Sequence, residues 1–255
     1  MDEIEKGQIP DNNPLKGLKE FTAARIGIGR TGASIPLKQS LEFKLAHAHA
    51  RDAVYSELDI DGLTAYLSQF ELPVLQLHSQ AAYREQYLQR PDLGRQLNEE
   101  SISQLTDYNE NGIDVVIVIA DGLSATAVNN NAIGLLKILI PQIVSAGLKP
   151  APICLVKQGR VAVADDIGMQ LNAKLSLILI GERPGLSSAD SMGAYLTFNP
   201  KPGLTDESRN CISNIRPYGL TFKPAAKKLF YLIQEALKRK ISGVSLKDNA
   251  GLLPE

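Results

Sequence analysis

The chain has 255 residues, 44% of them hydrophobic, and a formal net charge of -1 at pH 7. That content can bury one large core or two modest ones, and the balanced charge gives no reason to expect binding to nucleic acid or to an anionic membrane. The longest apolar run, Ile113 to Ala120, is far shorter than the roughly 20 residues that a membrane-spanning helix needs. The composition therefore indicates a globular protein with a neutral or polar ligand.

The amino terminus and the cysteines indicate a reducing compartment. Residues Met1 to Glu5 lack the basic start and apolar stretch of a secretory signal, so we expect a cytoplasmic protein. Cys154 and Cys211 are too few for a disulfide framework. His47 and His49 would lie on nearly opposite faces of a helix, so we expect no metal site.

Residues 1–20 are polar and interrupted by prolines, which is typical of a flexible tail. The pattern of residues 21–110 predicts a mainly helical N-terminal region. In it we predict helices over 40–58, with Ser40 as the N-cap, over 61–70 and over 99–108, and a short strand over 74–78. Arg90 and Arg95, before the last of these helices, either contact another subunit or domain or are solvated surface.

A glycine-rich stretch in this region carries a formal dinucleotide-binding fingerprint. Gly27, Gly29 and Gly32 have the G-x-G-x-x-G spacing, and Asp52 follows at the distance expected of the acidic partner. The fingerprint works only between a strand and a helix, yet the preceding stretch is short and Pro36 would interrupt the helix. We interpret the stretch as a loop that passes close to a neighbour, with Arg25 and Arg30 as candidate subunit contacts.

From residue 111 to residue 255 predicted strands alternate with helices. This pattern predicts an α/β fold with a doubly wound, mostly parallel, Rossmann-like sheet domain. The predicted strands cover 115–120, 151–156, 175–180, 195–198 and 211–215. Helices are predicted over 133–144 and 165–171, and a final helix carries an apolar stripe from Leu229 to Leu237.

Loops at the strand ends would converge at one edge of the sheet, where ligands bind in open α/β sheets, and they carry eight candidate binding residues. These residues are Asp121, Arg160, Val161, Glu182, Arg183, Cys211, Ser213 and Asn214. Asp121 either touches a ligand or caps the next helix. Glu182 follows an aliphatic run that is typical of a strand buried on both faces, and the local composition alone also fits an ordinary loop.

The chemistry of these residues favours binding over catalysis. The sequence shows no Ser-His-Asp or Cys-His arrangement, no Walker phosphate loop and no metal cluster, so we assign no catalytic residue. A carboxylate such as Glu182 can accept hydrogen bonds from amide or hydroxyl groups, and Val161 supplies an apolar wall. These groups suit a large ligand with polar edges.

Several stretches together resemble the small (light) subunit of ethanolamine ammonia-lyase, an adenosylcobalamin-dependent enzyme. In order and spacing the resemblance covers about nine tenths of the chain. It is carried by Thr22 to Gly32, Tyr87 to Leu97, Val116 to Ser124, Gly159-Arg160-Val161, Gly181 to Leu186, Cys211 to Ile215, and Lys240 to Gly243.

The resemblance implies a radical reaction that converts ethanolamine into acetaldehyde and ammonia. It implies that adenosylcobalamin, with its own dimethylbenzimidazole below cobalt, lies between this chain and a large subunit. The family's cofactor contacts correspond to Val161 for packing, Glu182 for hydrogen bonding to the polar periphery, and Cys211 for a close contact with a small residue. Residues 111–255 would then be the cobalamin-binding domain.

The resemblance also implies a hetero-oligomer in which the large subunit binds the substrate, so this chain alone would be inactive. The family's longer N-terminal extension, which in some members serves delivery to a bacterial microcompartment, is abbreviated here. That shortness leaves the cytoplasm as the expected location and delivery to a microcompartment as an open alternative.

Two other functions stay open at this stage. A stand-alone nucleotide-dependent α/β oxidoreductase would use the Gly27 loop and bind a nicotinamide cofactor. A non-catalytic assembly protein would use the same surfaces without any corrinoid.

Overall fold

The computed structural model describes residues 17–22, 24–108 and 110–248, so most of the predicted tail over 1–20 lies outside the described residues. The chain divides into two compact units after His49. The helices are Leu37–Tyr55 (α1), Ile60–Leu67 (α2), Arg84–Gln89 (α3), Glu99–Thr106 (α4), Ala125–Ser145 (α5), Val163–Gln170 (α6) and Phe222–Arg239 (α7). The strands are Val74–His78 (β1), Val115–Ala120 (β2), Ile153–Lys157 (β3), Leu175–Gly181 (β4), Met192–Phe198 (β5) and Arg209–Ile215 (β6).

The first unit contains the glycine-rich stretch and most of α1. Thr31 and Ser34 exchange backbone hydrogen bonds of 2.8 and 3.1 Å, which reverses the chain before the helix. Among the described residues no strand precedes this turn, so it lacks the context of a dinucleotide-binding loop. The prediction of Ser40 as N-cap was wrong, because α1 already begins at Leu37, directly after Pro36.

The sheet of the second unit is mixed, with the order β1-β3-β2-β4-β5-β6. The first four strands are parallel to one another, whereas β5 is antiparallel to both of its neighbours. The predicted mostly parallel, Rossmann-like sheet is therefore not confirmed. The reason is the length of the connections 182–191 and 199–208, which hold no α-helix and are too short for the crossover that parallel strands need.

Strand β1 lies before residue 111, where the predicted cobalamin-binding domain begins. It nevertheless pairs with β3 along its whole length and forms one edge of the sheet. The predicted division of function at residue 111 stays a prediction, but the sheet extends across it.

Both faces of the central strands are buried because helices cover each side. Side chains alternate along β4, so Leu177 and Leu179 point into the core beneath α5 and α7, and Ile178 and Ile180 into the core beneath α6. We call the face of the sheet beneath α5 and α7 the first face and the opposite face, beneath α6, the second face. Strands β5 and β6 pack closely on α7 through the first face. Their second face carries the half-buried Tyr195 and the exposed Cys211.

The segment after α7 runs along β6. Ser242 Oγ accepts a hydrogen bond from Phe198 N at 2.9 Å and donates one to Ser208 O at 2.6 Å. The Asn210 side chain donates to the carbonyls of Gly243 and Leu246. Gly243 has a φ of 71°, and a Cβ there would lie 1.9 Å from Glu207 O, so this turn requires glycine.

In the part of the chain that the structure describes, no helix combines the length and the apolar character needed to cross a membrane.

Candidate functional site

Two glycines close the carboxyl edge of the sheet between β2 and β4. Leu123 N donates to Gly181 O at 2.9 Å, and a Cβ on Gly181 would lie only 2.0 Å from Ser124 O. Gly122 has a φ of 57°, and a Cβ there would lie 2.3 Å from Gly181 O. This is the point of the sheet where doubly wound folds usually bind ligands, but backbone fills it here.

The structure gives Asp121 a different role from either one predicted. Its buried carboxylate accepts hydrogen bonds from Gln158 N at 2.8 Å and Gly159 N at 3.0 Å, and Arg84 lies 3.9 Å away. Burial raises the pKa of Asp121, and these hydrogen bonds and Arg84 oppose that shift. The N-cap of α5 is Ser124. Asp121 therefore holds the loop between β3 and α6 in place.

Glu182 immediately follows β4 and is oriented by two donors. Its Oε2 accepts a hydrogen bond from the Ser191 hydroxyl and one from Asn214 N at 3.2 Å. A Cβ on Gly193 would lie 3.0 Å from Glu182 Oε1 and 3.2 Å from Tyr195 Cε2, so glycine at residue 193 lets these two side chains lie over the backbone of β5. Glu182 is half-buried, and a ligand can reach it.

Cys211 lies opposite Tyr195 in the antiparallel pair of β5 and β6. Desolvation raises the pKa of the Cys211 thiol, its hydrogen bond with Tyr195 opposes that shift, and the Glu182 carboxylate adds to it. Burial is also the main reason that the pKa of Tyr195 is raised. Both groups are therefore protonated at neutral pH. Together they form an uncharged surface beside a carboxylate.

Val161 lies in the turn that begins α6, and the segment around Tyr87 fixes this turn. Arg160 N donates to Gly94 O at 2.7 Å. Two guanidinium groups lie over the buried Tyr87 ring, with Arg160 at 4.2 Å and Arg84 at 4.6 Å from its centre. The part-buried Val161 packs on the same core as Tyr195, so both belong to the second face of the sheet.

The structure thus brings together part of the predicted set. Glu182, Cys211 and Asn214 lie next to one another, and Val161 lies on the same face of the sheet. Cys211, Ser213 and Asn214 lie within β6, which confirms the strand predicted over 211–215, so they do not belong to a strand-end loop. Arg183 is exposed. Asp121 and Arg160 have structural contacts in the loop before Val161.

Three residues of the site were missed by the sequence analysis. Ser191, Gly193 and Tyr195 surround Glu182 and Cys211, but they become neighbours only through the antiparallel pairing of β5. Alternation along β5 could have placed Gly193 and Tyr195 on one face, since residues two apart share a face of a strand.

This face suits a broad, flat ligand with hydrogen-bond donors at its edge. Cys211 is a small, exposed residue, Val161 is apolar, and the Glu182 carboxylate is an acceptor that suits amide N–H groups. The residues present therefore fit a corrinoid, whose edge carries primary amides. Among the described residues no three histidine, cysteine or acidic side chains are grouped so that they could hold a metal ion.

Comparison with known proteins gives one family. The sequence model of the ethanolamine ammonia-lyase light chain matches residues 12–247. The ethanolamine ammonia-lyase small subunit of Pseudomonas fluorescens (strain SBW25) is 53% identical over 245 residues, covering 95% of this chain and 88% of the relative. The protein of the same name from Pseudomonas syringae pv. tomato is 51% identical, covering 99% and 88%. That from Pseudomonas putida (strain GB-1) is 53% identical, covering 94% and 89%.

Proposed function

The chain belongs to the ethanolamine ammonia-lyase light chain family, and we propose that it encloses adenosylcobalamin against a large subunit. The complex would convert ethanolamine into acetaldehyde and ammonia. The observation that carries the proposal is the second face of β5 and β6, where Glu182 and Cys211 lie side by side.

The residues of this face bind and position, and none is placed to act as a catalytic acid or base. Glu182 accepts hydrogen bonds from the amides at the corrinoid edge, Val161 packs against the ring, and Cys211 allows close approach. When bound, the cofactor supplies the radical chemistry that breaks a substrate C–H bond. The chain alone is therefore inactive.

Hydrogen bonds within the chain hold the loops that carry these residues. Asp121 holds the loop before Val161, and Ser191 and Asn214 hold the Glu182 carboxylate. A preorganised wall reduces the ordering that a ligand must impose when it binds, which raises affinity. We place the hetero-oligomer in the cytoplasm and keep delivery to a microcompartment as a separate hypothesis.

Co-expression of the chain with its large subunit tests the proposal. The purified complex should release ammonia from ethanolamine only when adenosylcobalamin is added, and neither subunit alone should do so. A complex that forms but releases no ammonia with the cofactor would favour the non-catalytic assembly protein. Binding of a nicotinamide cofactor but not of cobalamin would favour the oxidoreductase.

A further inference from the structure

A cavity lies beside the proposed cofactor-binding face. Its volume is about 640 Å³, and it is bounded by the turn around Arg95, the start of α6 and the loop that leads into β6. Val161 borders this cavity as well as the core beneath Tyr195. Neither Glu182 nor Cys211 lines it.

A buried ion pair forms one wall of the cavity. Asp165 Oδ1 and Arg209 Nη1 are 2.7 Å apart, and each of the two side chains is only 2% exposed. Arg209 Nη2 donates to Leu204 O at 2.9 Å, and its Nη1 also reaches Thr197 Oγ1 at 3.3 Å. Arg209 is therefore held by β5 and by the loop before β6.

Three buried polar atoms of residues that line the cavity have no hydrogen-bond partner among the described residues. In the described part of the chain, Asp165 Oδ2 has no hydrogen-bond partner, and neither have Arg209 Nε and Arg160 Nε. The exposed Asp206 lies 3.6 Å from Arg209 Nε, which is too far for a hydrogen bond. Buried polar groups are almost always hydrogen-bonded, so one acceptor and two donors lack the partners that such groups normally have.

The charges around the cavity argue for an uncharged ligand. Four aspartates, at residues 92, 165, 166 and 206, and three arginines, at 95, 160 and 209, line it. Asp92 is also paired with Arg90, so the formal charges sum to zero when Arg90 is counted with the residues that line the cavity. A neutral group with both an N–H donor and an oxygen acceptor matches the unused atoms, and a primary carboxamide is such a group.

We propose that this cavity binds a primary carboxamide at the edge of the corrinoid, with Asp165 Oδ2 as the acceptor for its N–H. Arg209 or Arg160 donates to the carboxamide oxygen. The inference rests on the proposed function, because the corrin ring is the source of the carboxamide. It gives the cofactor a second point of attachment, in a cavity that Val161 lines and Glu182 does not.

Asp165→Asn tests this contact in the complex co-expressed with the large subunit. The variant retains an oxygen for Arg209 but replaces the unused acceptor by an amide donor. Its affinity for cyanocobalamin and for dicyanocobinamide, measured by calorimetry, should fall about 10-fold or more for both, as expected for a hydrogen bond to a charged group. Asp61→Asn, at an exposed position of α2 outside the cavity, should change both affinities less than about 2-fold.

Dicyanocobinamide lacks the nucleotide loop but retains carboxamides at its edge, so it separates the two candidate occupants. Loss of affinity for cyanocobalamin alone would overturn the inference, because the nucleotide loop would then be the group in the cavity. Unchanged affinity for both would overturn it too. If the variant does not fold, a structure of the wild-type complex with dicyanocobinamide decides, by whether a carboxamide lies within hydrogen-bond distance of Asp165 Oδ2.

The outcome also distinguishes the inference from the function on which it rests. A wild-type complex that binds neither corrinoid overturns both. Tight wild-type binding together with an unchanged Asp165→Asn variant overturns the inference alone.

Discussion

Asn214 N lies 3.2 Å from Glu182 Oε2, so the end of β6 and the loop after β4 share one carboxylate across 32 positions of sequence. This contact exists because β5 reverses the chain and β6 then runs in the same direction as β4. Asn214 itself has a φ of 58°, a left-handed conformation that asparagine tolerates better than most residues.

Replacement of Glu182 should weaken cofactor binding without unfolding the chain. In the assembled complex we expect Glu182→Ala to lower the affinity for cyanocobalamin by about tenfold or more, since a hydrogen bond to a charged group contributes about 1.5 to 3 kcal/mol. Calorimetric titration measures this change. Glu85→Ala, at an exposed position of α3, is the matched control. Equal affinity of Glu182→Ala and wild type would refute the assignment.

The two cysteines should differ in reactivity. Burial raises the pKa of Cys154 to about 12, and desolvation also raises the pKa of the exposed Cys211. Because the thiolate is the reactive form, iodoacetamide should modify only Cys211 in the folded chain, more slowly than a free thiol, and faster as the pH rises. Mass spectrometry after timed labelling checks this. Cys211→Ser should abolish the labelling, and modification of Cys154 before unfolding would contradict the prediction.

Asp165 should give the stability of the chain a specific dependence on pH. Burial raises its pKa from 3.8 to about 6, against the attraction of Arg209. Because the folded pKa lies above the unfolded one, the contribution of Asp165 to stability is complete below about pH 4 and is lost as the pH rises through about 6.

Asparagine at residue 165 does not titrate, so the comparison of wild type with Asp165→Asn isolates this effect. The free energy of unfolding of the wild type, relative to the variant, should fall by up to about 3 kcal/mol between about pH 4 and pH 7. Urea unfolding at several pH values measures the difference. Parallel curves for the two proteins would show that Asp165 titrates normally.

Gly181 should be intolerant of any side chain. A Cβ there would lie 2.0 Å from Ser124 O and 2.5 Å from Asp121 O, both backbone atoms. We therefore expect Gly181→Ala to destabilise the chain by at least about 3 kcal/mol in urea unfolding. Gly112→Ala is the control. Its φ of 79° is unfavourable for alanine, but nothing lies within 4 Å, so about 1 to 2 kcal/mol is expected. Similar losses for both variants would contradict the steric argument.

The sequence predicted the elements better than their arrangement. Apolar periodicity identified the buried strands and the final helix, since those signals are local. It did not reveal the direction of β5, for which the short connections 182–191 and 199–208 were the available signal. Asp121 shows the same limit. A local rule suggested a helix cap, whereas its partners, Gln158 N and Gly159 N, lie 37 and 38 residues away.

Only the residues of the candidate site that lie in short sequence motifs could be proposed from the sequence. The residues that meet through tertiary packing could not. Glu182 and Cys211 were predicted as cofactor contacts only through resemblance to a family, and that role stays a prediction. Asp165 and Arg209 were not, because their ion pair joins α6 to β6 through tertiary packing. Tyr87 was named only as the start of a stretch that resembles the family, although two guanidinium groups lie over its ring beside the loop of Val161.

The segment after α7 covers part of one edge of the sheet in the subunit that has not bound a partner. Strand β6 is the last strand of the sheet, and unpaired edge strands invite pairing with other copies and hence aggregation. Ser242 and the Asn210 side chain tie the segment Ser242 to Leu246 against the first half of this edge. An incoming strand would have to displace it, so the first half of the β6 edge is protected from edge-to-edge association.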